Sequence, residues 1–271
     1  NIMIETAKTH KKAIVIGGGL LGLEAANGLM IQGMDVSVVH RSNTLMNQQL
    51  DQAASDLMLA ELQVKGMHFL MNHDTAELVG NERVEKIRFK DGSELDADLV
   101  VMAVGVRPNI KLAQDSGIAC ERGVLVDDTL KTYSDNIYAV GECVQYRNET
   151  FGLVAPLYEQ AKVCAKQLAH VGGSKYLSSV TATKLKVTGI NLFSAGDFIG
   201  DNESEVLIYQ DTSRHIYKKI VLKENKIIGT VLYGDTTDGN WYFSLLSDEK
   251  DISGIREDIL FGQHQVDEDL C

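Results

Sequence analysis

The run Ala13-Ile14-Val15-Ile16-Gly17-Gly18-Gly19-Leu20-Leu21-Gly22-Leu23-Glu24 constrains the fold more than any other part of the chain. Its apolar start reads as a buried strand over 13–17, the next stretch predicts a helix over 20–33 ending at Gly33, and 35–40 reads as a second buried strand. Two parallel strands joined by a helix make a right-handed βαβ unit. In that setting each glycine of Gly17-x-Gly19-x-x-Gly22 has a task. The first permits the tight turn, the second lets a pyrophosphate approach the backbone, and the third lets helix and strand come close. The start of the helix supplies amide donors and a positive dipole end, so Gly18, Leu20 and Leu21 join the three glycines as candidate phosphate-binding residues. A bare glycine pattern also arises in a turn that binds nothing. The flanking strand, helix and second strand at the right distance favour a dinucleotide site.

At the end of the second strand, where an NAD site often places Asp or Glu against the ribose hydroxyls, the chain has His40-Arg41. That choice favours NADPH, with Arg41 pairing with a 2′-phosphate and His40 as a second donor when protonated. A solvated arginine at a loop start and a site of dual specificity are the competing readings. Ligands in open α/β folds collect at the carboxyl ends of strands. The strand end Ala103-Val104-Gly105 is therefore the expected nicotinamide side, with Val104 and Gly105 as candidate contacts.

The rest of the chain reads as further α/β structure. A helix near 50–65, a strand at 67–71, a β-meander over 75–79, 84–90 and 93–97, and an apolar run at 99–104 complete the first domain. Gly105-Val106-Arg107-Pro108-Asn109 breaks the pattern. From about 178 alternating strands, notably 205–211, 214–223 and 226–234, and helix-like segments at 238–247 and 252–260 suggest a separate α+β domain. The expected division is a Rossmann-like NAD(P)H-binding domain at 1–115, the C-terminal part of a FAD-binding domain at 116–175, and a small α+β domain at 176–271.

Composition excludes several classes. With 26 basic against 38 acidic residues the net charge is −12, which argues against a phosphate-backbone surface and hence against nucleic acid. No segment approaches the roughly 20 apolar residues of a membrane span. The four cysteines, Cys120, Cys143, Cys164 and Cys271, are scattered singly, so no disulfide framework or complete metal site is encoded. A reducing cytoplasm is the expected location.

A second motif lies about 120 residues after the first: Thr132-Tyr133-Ser134-Asp135-Asn136-Ile137-Tyr138-Ala139-Val140-Gly141-Glu142. It reads as an apolar strand ending in a glycine that allows close approach and a carboxylate that can accept hydrogen bonds from ribityl hydroxyls. Roughly a dozen residues on, Val154-Ala155-Pro156-Leu157-Tyr158-Glu159-Gln160-Ala161 places proline at a helix start, where free amides can face a flavin pyrimidine edge. Gly141, Glu142, Pro156 and Leu157 are the candidate FAD contacts.

With these motifs in hand, the chain resembles the FAD- and NAD(P)H-binding reductase section of assimilatory nitrite reductases, within the pyridine nucleotide-disulfide oxidoreductase-like flavoproteins. The most specific strings are Leu192-Phe193-Ser194-Ala195-Gly196-Asp197, Tyr217-Lys218-Lys219-Ile220-Val221-Leu222, Gly229-Thr230-Val231-Leu232-Tyr233-Gly234-Asp235 and Asp238-Gly239-Asn240-Trp241. The resemblance implies that NAD(P)H reduces FAD and that electrons pass through an iron–sulfur centre to a sirohaem that reduces nitrite to ammonium. It places Glu24 near the nicotinamide and flavin, and it offers Cys271 as the first ligand of a downstream iron–sulfur module. Most relatives have Asp where Glu142 stands. The first fingerprint, for the ADP half of FAD, is missing, so the chain reads as a fragment whose partners are downstream redox domains of the same polypeptide, with a homodimer as a further option.

Two other readings compete: a rubredoxin or ferredoxin reductase or NADH oxidase, and a non-catalytic NAD(P)-binding or assembly module. Tyr217, Tyr233, Trp241, Tyr242 and Phe243 are expected as core residues of a small sheet rather than a docking surface. The absence of a Cys-x-x-Cys pair in the nucleotide domain disfavours disulfide exchange.

Overall fold

The computed structural model of the protein describes residues 2–177 and 181–269. Helix α1 (Ile2–Thr9) precedes strand β1 (Lys12–Ile16), helix α2 (Leu20–Ile31), strand β2 (Asp35–His40), helix α3 (Gln52–Val64) and strand β3 (His68–Met71). The antiparallel meander β4 (Thr75–Gly80), β5 (Val84–Phe89) and β6 (Glu94–Asp96) leads to β7 (Leu99–Met102). The parallel sheet runs β3-β2-β1-β7. Its strands are continuous apolar runs because both faces are covered. Ala13 and Val15 point into a core with Leu23, Ala26 and Leu29 of α2 and Met58 and Leu62 of α3. Ile14 and Val39 face the meander residues Ile87 and Phe89 instead.

The middle of the chain is smaller. Helix α4 (Lys111–Asp115) and strands β8 (Val124–Val126), β9 (Val144–Tyr146) and β10 (Glu149–Thr150) are followed by α5 (Val154–Leu168). The sheet order is β10-β9-β8, with β8 parallel to β9. Its core is Val126, Leu130, Val144, Tyr146, Cys164 and Tyr176.

The last part is an antiparallel sheet of β11 (Ala182–Val187), β12 (Ile190–Gly196), β13 (Glu205–Asp211), β14 (Ile216–Lys223) and β15 (Lys226–Tyr233), ordered β11-β12-β15-β14-β13. Helix α6 (Gly239–Ser247) covers one face, where Phe193, Ile220 and Leu232 meet Tyr242, Leu245 and Leu246. The other face sends Leu192, Tyr217, Val231 and Tyr233 into the same core as α2 and α3. Helix α7 (Gln263–Asp269) follows.

Compactness therefore groups the chain as Asn1–Gly105 with Ala182–Cys271, and Val106–Thr181 by itself. The three-part division at 115 and 175 differs, because Val187, Leu192, Tyr217, Val231 and Tyr233 of the last sheet share one core with the nucleotide-fold helices. It stands as a proposal about folding units.

Two local expectations are corrected. The segment 252–260 is not a helix: its amides make short turns, Ile255 to Ile252 and Asp258 to Ile255, before a single 3₁₀ turn at Ile259–Phe261. Asp251 captures the Ser253 amide and so competes with helical bonding. Residues 137–142 are not a strand. The turn at Asn136, with φ 61°, folds Ile137 back onto Thr132, leaving one isolated bridge between Lys131 and Tyr138.

Candidate functional site

The glycine turn between β1 and α2 is shaped by contacts that exclude side chains. A Cβ on Gly17 would lie 2.1 Å from the Ala103 carbonyl oxygen, and one on Gly22 would lie 1.9 Å from the Gly17 oxygen. Gly17 also has φ 120°, which a side chain would strain. Gly19 is the opposite case: it caps the helix with extended backbone, and no atom lies within 4 Å of where its Cβ would stand. That open space is what a ligand lying on the turn needs. Gly17 donates to Val39 O at 2.8 Å and Leu23 to Gly19 O at 3.0 Å. No side chain caps α2, so the amides of its first turn, including Leu20 and Leu21, remain as anion donors.

Gly18 is tied to the end of the second strand. Its amide donates to His40 Nδ1 at 3.1 Å, while His40 Nε2 donates to the Thr44 carbonyl at 3.0 Å. Both ring nitrogens are thus engaged within the chain, which requires the neutral imidazole. Burial, with help from the Arg41 charge and against the Thr44 bond, holds the His40 pKa below its ordinary 6.5. In this arrangement His40 braces the glycine turn. Arg41 is exposed and forms no ion pair among the described residues. It begins a loop stitched to the same turn, since Met46 donates to Gly18 O at 3.0 Å and Leu45 packs on Gly18.

Around this turn, Leu21 and Val104 are exposed apolar residues at 63% and 65%. Gly105 is exposed with φ 102°, and Glu24 is exposed on α2 without an ion pair among the described residues.

In Val106–Thr181, described by itself, Glu142 and Cys143 line a cleft of about 240 Å³ with Val106, Arg107, Pro108, Asn109, Thr150, Phe151 and Gly152. Gly141, with φ 104°, opens the turn into β9. Its amide donates to Oε1 of Gln160 at 2.9 Å, and Gln160 is fully buried on α5. Pro156 and Leu157 lie in the first turn of α5, half-buried, with Pro156 third in the helix. Sequence reasoning did not single out Gln160, although a glutamine on the buried stripe of a helix is a readable signal. It took Arg107, Pro108 and Asn109 only as a chain break.

Burial pushes the Cys120 and Cys164 thiols up, away from the thiolate that exchange chemistry needs. The described residues include no group of His, Cys, Asp and Glu able to hold a metal. Cys271 lies outside the described residues. No helix among the described residues is long and apolar enough to cross a membrane.

A family model described as pyridine nucleotide-disulphide oxidoreductase matches residues 3–167, more than half of the chain. The chain belongs to this family. Within it, residues 182–250 match the rubredoxin NAD+ reductase C-terminal domain. This family member is 53% identical to the NAD(P)H nitrite reductase of Bacillus subtilis (strain 168) over 93% of its length and 31% of that protein. It is 44% identical to the assimilatory nitrate reductase electron transfer subunit of the same organism, over 95% of the chain and 34% of that protein. The chain thus spans about a third of these curated relatives. Among solved structures, a ferredoxin reductase from Rhodopseudomonas palustris aligns with TM-score 0.80 and 25% identity, over 91% of this chain and 62% of that one. The protein is therefore a flavoprotein-reductase module of this family, resembling those in nitrite and nitrate reductases.

Proposed function

We propose that this chain is the NAD(P)H:FAD oxidoreductase section of a cytoplasmic nitrite reductase, feeding electrons to downstream domains that reduce nitrite to ammonium in nitrogen assimilation. The observation that carries the nucleotide half is the glycine turn: two positions closed to any side chain, and one, Gly19, open to a ligand beside free helix amides. The 53% identity to a nitrite reductase supports the destination of the electrons.

When bound, the nicotinamide and flavin would supply the hydride chemistry. The chain's own residues bind and orient. The amides at Gly19, Leu20, Leu21 and Gly22 take the pyrophosphate, Arg41 takes a 2′-phosphate, and Val104 and Gly105 border the nicotinamide side. Glu24 stands on the same helix. Gly141, Glu142 and the first turn of α5 at Pro156 and Leu157 hold the flavin over its ribityl and ring portions. The adenylate half of FAD has no second fingerprint here, and iron–sulfur and sirohaem groups would belong to other domains of the polypeptide.

Calorimetric titration with NADPH and NADH, each repeated with added FAD, tests this reading. Arg41→Ala is expected to weaken NADPH by about 1.5–3 kcal/mol and to leave NADH nearly unchanged. Equal losses for both coenzymes remove Arg41 from the site. A rubredoxin or ferredoxin reductase is the second reading, favoured by the match over residues 182–250. Faster NAD(P)H-dependent reduction of added rubredoxin than of the parent enzyme's nitrite-reducing domains would select it.

A further inference from the structure

The loop that carries Arg41 is tied down within the nucleotide fold, and at its far end also outside it. His40 at its start and Met46 in its middle bond to Gly18. Beside Met46, Leu45 donates to the buried Ser55 hydroxyl at 2.7 Å, and Leu45, Met46 and Leu50 are fully buried. The loop then runs into Asp51, which caps α3 by accepting from the Ala54 amide through Oδ1 at 3.1 Å. The other oxygen, Oδ2, reaches out of the nucleotide fold: it accepts from the Tyr217 hydroxyl at 2.7 Å and lies 3.2 Å from Lys219 Nζ. Both partners stand on β14 of the last sheet. The Asp51 and Lys219 side chains are each only 11% exposed, so this contact is sheltered from water and salt.

We propose that Tyr217 and Lys219 are positioning residues for coenzyme selection, holding through Asp51 the loop from which Arg41 meets the 2′ position of the adenosine ribose. This rests on the nucleotide reading given above. The contact acts on the adenosine end and not on the pyrophosphate, because the glycine turn is closed by its own backbone contacts with Ala103 and Val39. A displaced N-cap moves the loop end while leaving that turn in place. The neighbouring strand provides an internal comparison. Tyr233 of β15 donates to Glu61 Oε2 at 2.7 Å, nearly three turns further along α3 and away from the loop. Both tyrosines join the same sheet to the same helix, but only Tyr217 joins it at the end that fixes Arg41.

The test is the ratio of NADPH to NADH affinity, by calorimetry on the full chain, in wild type, Arg41→Ala, Tyr217→Phe, Asp51→Asn and Tyr233→Phe, each checked for a native circular dichroism spectrum. Asp51→Asn keeps a capping oxygen and serves if Tyr217→Phe does not fold. Tyr217→Phe and Asp51→Asn are expected to lower the ratio by about fivefold, largely through NADPH, and to do nothing further when combined with Arg41→Ala. Tyr233→Phe is expected to lower the melting temperature and leave the ratio alone. An unchanged ratio in Tyr217→Phe and Asp51→Asn, with a wild type whose ratio depends on Arg41, overturns the inference. So does an equal shift in Tyr233→Phe, which would mark a general stiffening of α3. A wild type that binds neither coenzyme, or whose ratio ignores Arg41, overturns the nucleotide reading and this inference with it.

Discussion

The two glycine turns proposed for the cofactors are built on different principles. The turn at Gly17–Gly22 is closed against itself: Gly17 presses on the Ala103 carbonyl, Gly22 presses on Gly17, and Gly18 is braced by His40 and Leu45. At Gly141 the backbone takes φ 104°, yet no atom lies within 4 Å of where a Cβ would stand, and Glu142 beside it is exposed. One turn owes its shape to internal packing. The other owes it to backbone conformation, the Val144 amide donating to Gly141 O at 3.1 Å, and a bond from the Gly141 amide to Gln160. A turn of the first kind leaves no room for side chains, whereas the second has room and excludes them only through its φ.

Substitutions can break that contrast. Gly22→Ala puts a methyl where the Gly17 carbonyl oxygen stands and is expected to cost about 3 kcal/mol, the upper range for overpacking, measured by urea unfolding. Gly141→Ala meets only conformational strain and is expected to cost about 1–2 kcal/mol in the same assay. Equal costs would erase the distinction. Gly19→Val sharpens it in another way: it is expected to preserve stability and abolish dinucleotide binding by calorimetry, since its side chain fills the space kept for the ligand.

The smallest expected effect concerns acid. The folded state keeps His40 neutral, below its ordinary 6.5, so the stability this brings is complete above pH 6.5 and declines as pH falls through that value. The unfolded chain takes up the proton first. Melting temperatures between pH 7.5 and 5.5 are expected to fall, and less steeply in His40→Asn. Parallel slopes would show that His40 does not brace the turn.

The nucleotide fold was legible because its signals are local: apolar runs of strand length, a helical stretch and three glycines at fixed offsets. The aromatic residues were also legible as core, with Tyr217, Tyr233 and Tyr242 fully buried and Trp241 and Phe243 packed against the second core. What sequence could not show is contact between distant segments. Nothing local reveals that Gly18 and Thr44 engage both nitrogens of His40. The distinctive C-terminal strings proved to be packing signatures. Gly229 and Gly239 have no room for a side chain against Asp197 O and the Phe193 ring. Lys218 and Lys219 are both nearly buried, one paired with Asp235 and Asp238 and the other with Asp51. Adjacent residues on a strand face opposite sides, so this double lysine reads as a sheet covered on both faces.

The larger compact unit is discontinuous in the chain, and that has a consequence for how it forms. Its ties are between residues far apart in sequence: 166 positions separate Asp51 from Tyr217, and 172 separate Glu61 from Tyr233. A polypeptide emerging from the ribosome N-terminus first exposes the α3 side of the parallel-sheet core until β12, β14 and β15 have been made. Closing so long a loop before its contacts repay the entropy makes for slow folding. During synthesis, therefore, the nucleotide fold waits on the final sheet, with the intervening segment free to complete its own core first.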